Sequence, residues 1–113
     1  MTQRRVRLID LRDDQDAIAR YEAAHQPGDV PAEVLASQRR NGIVDMEIHR
    51  FGNRLVMIME VGESFNPAGL AADEAAIPAI AEWHHRMDAL QLSLRDDGGW
   101  VEPDLVFHQN AHP

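Results

Sequence analysis

The stretch from Ile43 to Val61 limits the possible folds more than any other part of the chain. Val44, Met46 and Ile48 alternate with Asp45, Glu47, His49 and Phe51, the period-two pattern of a strand with one apolar face. Gly52-Asn53 follows, two residues with the backbone freedom a tight hairpin requires. Leu55 to Val61 then returns as a nearly continuous apolar run, the signature of a central antiparallel strand. The rest of the chain has to supply the elements that bury this ribbon.

Those elements can be read on both sides of it. Val6 to Leu11 is short and rich in apolar and branched residues, and the polar Arg12-Asp13-Asp14 ends it as a strand ends in a turn. Asp13 or Asp14 caps a helix running to about Gln26, with Ala17, Ile18, Tyr21 and Ala24 on its buried stripe and His25 alongside. Pro27-Gly28 breaks that helix, Pro31 opens the next in its first turn, and Gly42 stops it after Arg39 and Arg40. Beyond the hairpin, residues 63 to 69 form a loop and Leu70 to Ala76 a short alanine-rich helix. Ile77, Ile80, Trp83, His84, Met87 and Leu90 or Gln91 recur at helical spacing. Arg95 to Gly99 is a polar turn, Trp100-Val101 begins a short edge element, and Asp104 to Gln109 reads as a final strand.

Strand, helix pair, strand, strand, helix, strand is the order of a ferredoxin-like α+β fold, an antiparallel sheet with helices on one face. At 113 residues the chain is expected to be one domain, residues 1–113, with a single core. The uncovered sheet face predicts a homodimer packed sheet against sheet.

Composition narrows the chemistry. A net charge of -8 argues against a nucleic-acid partner, and the absence of cysteine excludes disulfides, thiolate metal sites and a cysteine nucleophile. No run approaches the ~20 apolar residues of a membrane span, so no membrane partner is expected and the expected location is cytoplasmic. His84-His85 diverge by about 100° on a helix, and a His49, His84, His108 metal site would need convergence from three elements, so no metal is expected. Tyr21 and His25 stand one turn apart on the same helix face and form the candidate active-site pair, set against the ordinary alternative of a packed core edge with satisfied polar tips.

Further segments carry a family likeness: Asp10-Leu11, Tyr21-x-x-x-His25, Pro31-x-Glu33-Val34-Leu35 and Gly42-Ile43-x-Asp45-Met46-Glu47-Ile48. Gly52-Asn53-Arg54-Leu55, Met57-Ile58-Met59-Glu60, Glu82-Trp83-x-x-x-Met87 and Val106-Phe107-His108 extend it over almost the whole chain. Together they resemble the L-rhamnose mutarotase family, and the Asp-Met-Glu-Ile and Gly-Asn-Arg-Leu segments are most similar to its L-fucose mutarotase branch. The resemblance implies a dimeric α/β barrel and an isomerase that interconverts the anomers of a 6-deoxy-hexose without a cofactor. It makes His25 the general acid/base and places Tyr21, Met46, Trp83 and His84 at the monosaccharide. Two departures accompany it: Val30 stands where the family carries tryptophan, and Met46 where its rhamnose enzymes carry tyrosine. Two other readings of the same residues are a cofactorless monooxygenase-like barrel enzyme and a noncatalytic sugar-binding module.

Overall fold

The computed structural model describes residues 1–113. The chain runs β1 (Gln3–Leu11), α1 (Gln15–Ala24), α2 (Ala32–Arg40), β2 (Ile43–Phe51), β3 (Arg54–Val61), α3 (Pro67–Ala76), α4 (Pro78–Leu90) and β4 (Gln91–Leu92), with a closing 3-10 turn at Gln109–Ala111. Its one sheet has the order β2-β3-β1-β4 with every pair antiparallel, which is the ferredoxin-like arrangement.

Local chemistry sets the boundaries. Asp14 accepts the Ala17 N–H at 2.7 Å and caps α1, and an Asp16–Arg20 pair supports its first turn. Asn66 caps α3 by accepting from Gly69 N–H, and Pro67 and Pro78 open α3 and α4 where a missing N–H has no helical partner to lose. Gly42 ends α2 at φ 90°, and a Cβ there would come within 2.5 Å of the Phe65 backbone, so the turn into β2 requires glycine twice over.

The helices cover one sheet face with two separate apolar clusters. The larger joins Ile9, Leu11 and Leu55 of the sheet to Tyr21, Ala24, Val34, Ile80, Trp83 and Met87 of the helices. The smaller joins Ile43, Met59 and Val61, with Met46, Met57, Phe65 and Leu70 packed against it. Each fully buried aliphatic side chain among them contributes about 1.5–3 kcal/mol. Asp73 of α3 ties α2 into this layer, its Oδ2 accepting from Ser37, Arg40 and Asn41 at 2.7, 2.7 and 2.9 Å. On the opposite face Val6, Leu8, Val56 and Ile58 form a partly buried apolar strip beside the Asp10–Arg54 ion pair.

One expected element is absent. Residues 104–108 form no strand; they run off the sheet with Leu105, Val106 and Phe107 80%, 94% and 67% exposed. The fourth strand is Gln91–Leu92, delivered to the β1 edge directly by α4, and a Leu8–Val101 bridge continues it. Pro103 follows, with no N–H to extend that ladder. Two starts also move outward: β1 begins at Gln3 and α3 at Pro67.

Candidate active site

The C-terminus of α1 shapes the site. The last carbonyls of a helix are open to further partners, and here two of them accept from side chains. Gln26 donates to Glu22 O at 3.1 Å, and His25, the first residue past the helix, bonds through Nδ1 to Tyr21 O at 2.6 Å. A carbonyl only accepts, so Nδ1 carries the hydrogen, and in the neutral ring Nε2 is left with a free lone pair. Burial holds the His25 pKa below the usual 6.5, the Tyr21 carbonyl offsets part of that shift, and the Arg86 charge adds to it. The imidazole is therefore neutral at pH 7.

Two aromatic residues wall the imidazole. The Tyr21 ring lies 4.1 Å from it, centre to centre, and the Trp83 ring meets it edge-on at 5.0 Å. Tyr21 and Trp83 are both buried, at 5% and 6% exposure, in the larger cluster, and the Arg86 guanidinium sits 5.4 Å over the Trp83 ring. Burial pushes the Tyr21 hydroxyl up to about 12, with the Gln91 side chain offsetting part of the shift. Periodicity offers Gln91 only as an alternative to Leu90 on the α4 stripe; it lies one residue past α4 and meets Tyr21 through the tertiary fold.

The structure thus gathers Tyr21, His25 and Trp83 from the expected residues. Met46 packs against the smaller cluster. His84 points away from Trp83 around α4, and its Nδ1 lies 3.5 Å from Glu74 of α3. Val30 packs against the larger cluster, so the residue standing in for an aromatic fills core volume. No three His, Asp or Glu side chains converge in metal-binding geometry. A groove of about 640 Å³ between α1 and α4 is lined by Arg20, Asp29, Arg86 and neighbours but not by His25, Tyr21 or Trp83, so it does not mark the chemistry.

A neutral imidazole with one free nitrogen, seated between aromatic rings, is suited to moving protons on an uncharged ligand. The family model for L-rhamnose mutarotase matches residues 4–109. An L-fucose mutarotase from Xanthomonas campestris pv. campestris is 46% identical over 108 residues, covering 93% of this chain and 86% of the relative. The chain belongs to the L-rhamnose mutarotase family. Two solved structures share the fold. One is an L-rhamnose mutarotase from Formosa agariphila, with a TM-score of 0.67, 17% identity and coverage of 95% of this chain and 98% of the other. The other is a type-II polyketide cyclase from Streptomyces glaucescens, with a TM-score of 0.54, 14% identity and coverage of 94% and 95%.

Proposed function

We propose that this chain is a mutarotase acting on L-fucose or a similar 6-deoxy-hexose, with His25 as its acid/base and residues 1–113 as one working domain. Opening a cyclic hemiacetal removes the proton of the anomeric hydroxyl and protonates the ring oxygen as the C1–O5 bond breaks. His25 Nε2 takes the first proton, and the Nδ1–H bond to Tyr21 O steadies the imidazolium that forms. Both oxygens are attached to C1, so the protonated Nε2 can return its proton to the ring oxygen. Rotation about the C1–C2 bond presents the other carbonyl face, and the reverse steps close the ring as the other anomer.

The observation that carries this reading is the 2.6 Å bond between His25 Nδ1 and a carbonyl, which leaves Nε2 as the base. Trp83 and Tyr21 position the ring. The 46% identity to an L-fucose mutarotase supports the choice of sugar. Saturation-transfer NMR on equilibrated L-fucose tests the proposal: no acceleration of anomer exchange with L-fucose, L-rhamnose or their relatives would refute it.

We further propose a homodimer packed through the uncovered sheet face. Its support is the strip Val6, Leu8, Val56 and Ile58, together with exposed apolar residues such as Phe51 and Val106, at 90% and 94%. A cytoplasmic setting belongs to the same proposal, since a chain without cysteine has no disulfide for an oxidising compartment to form. No helix is long and apolar enough to cross a membrane.

A further inference from the structure

On the helix-covered side of the sheet, the two apolar clusters do not merge. Alternation places Arg5 and Arg7 on the same face of β1 as the buried Ile9 and Leu11, and Arg5 stacks 5.6 Å over Phe65 of the smaller cluster. Arg7 pairs with Met57, and Met57 pairs with Ile48, so the three form one row across the sheet. Ile48 packs against the larger cluster and Met57 against the smaller, which makes this row the seam between them.

The seam contains an unsatisfied group. Arg7 Nε is buried without a hydrogen-bond partner, although the side chain as a whole is 32% exposed. Its nearest carboxylate oxygen, Glu102 Oε1, is 3.8 Å away, beyond hydrogen-bond range, and is already held by Arg5 at 3.0 and 3.1 Å. A guanidinium does not lose its charge, so Arg7 stands at the seam as a fixed cation with hydrogen-bonding capacity that the protein does not use.

The end of α1 reaches the neighbouring row of the sheet. Glu22 pairs with Arg50, which belongs to the neighbouring row Arg50, Leu55 and Ile9. Helix α1 starts beyond the C-terminal end of β1 and runs back over the sheet. The three residues from Glu22 to His25 advance it by about 4.5 Å, which brings His25 toward the row of Arg7.

We propose that Arg7 is a substrate-binding residue on the sheet side of the His25 site, the accessible part of its guanidinium donating to a sugar hydroxyl. Glu102 uses Oε1 on the arginines, leaving Oε2 to accept from the same or an adjacent hydroxyl. A donor beside an acceptor matches a hydroxyl group, which both gives and receives a hydrogen bond. The inference rests on the mutarotase reading and adds a residue that fixes which hydroxyls of the sugar are recognised.

The test is titration of L-fucose by NMR together with exchange kinetics, on wild type, Arg7→Met, Arg7→Lys and Glu102→Gln. Arg7→Met is expected to raise both Kd and KM about tenfold or more, with a smaller change in kcat, and Arg7→Lys to recover part of the loss. Glu102→Gln weakens binding in the same direction and serves as the second probe should Arg7→Met fail to fold. Folded variants at both positions that bind L-fucose within about twofold of wild type would overturn the inference. A wild type that binds L-fucose without speeding exchange would instead overturn the mutarotase reading and leave the Arg7 binding comparison standing. A wild type that binds no 6-deoxy-hexose would overturn both.

Discussion

Alkaline titration isolates Tyr21 in a way few proteins permit. The chain has one tyrosine, no cysteine and no lysine, since all 11 of its Lys and Arg residues are arginine. Between pH 9 and 12, Tyr21 is therefore the side chain expected to ionise, with arginine still protonated. Burial raises its pKa from 10.0 to about 12 in the folded protein. The unfolded chain then releases the proton first, so stability is intact below pH 10 and is lost as pH rises through the folded value. Two pKa units correspond to about 3 kcal/mol in full, and linkage gives about 1.4 kcal/mol already lost at pH 11. Urea unfolding followed by tryptophan fluorescence at pH 8 and 11 measures the loss, and tyrosinate absorbance measures the pKa. Tyr21→Phe has no group to ionise and should keep the same stability at both pH values. A wild-type tyrosine titrating near 10, or a Tyr21→Phe variant with the same alkaline loss as wild type, would show that the hydroxyl is not buried as described.

Gly69→Ala sets propensity against packing. Alanine is favoured in a helix by about 1 kcal/mol, yet the new Cβ would lie 2.0 Å from Asn41 Oδ1. Asn41 is 7% exposed and tethered to Ser37 O and Asp73 Oδ2 at 2.8 and 2.9 Å, so it cannot swing aside freely. A net loss of about 1–3 kcal/mol is expected in urea unfolding, partly recovered when Asn41→Ala is added; a variant as stable as wild type would contradict the packing account. For the dimer, Ile58→Asp on the uncovered strip should shift sedimentation from dimer to monomer, and a wild type that is monomeric at micromolar concentration would refute the interface.

The hairpin was legible because its signals are local: alternation, a Gly-Asn turn and an apolar return. The ends of α1 and α2 were legible for the same reason, through Asp14, Pro31 and Gly42. Tyr21 and His25 followed from helical spacing, although His25 caps the helix instead of continuing it. What stayed hidden depends on tertiary placement. Apolar residues at 105–107 look like a strand in sequence, but β4 and Val101 already occupy part of the β1 edge and Pro103 cannot continue that ladder. Gln91 beside Tyr21, and Arg7 at a seam between two clusters, are visible only once the sheet register is known.

The central claim is that His25 Nε2 carries the proton between the anomeric and ring oxygens. Saturation-transfer NMR of L-fucose with wild type and His25→Ala at pH 7 tests it most directly. Wild type should accelerate anomer exchange, and His25→Ala, folded as judged by its amide spectrum, should lose roughly 10²–10⁴-fold of that rate. A His25→Ala protein that exchanges the anomers as fast as wild type would contradict the claim.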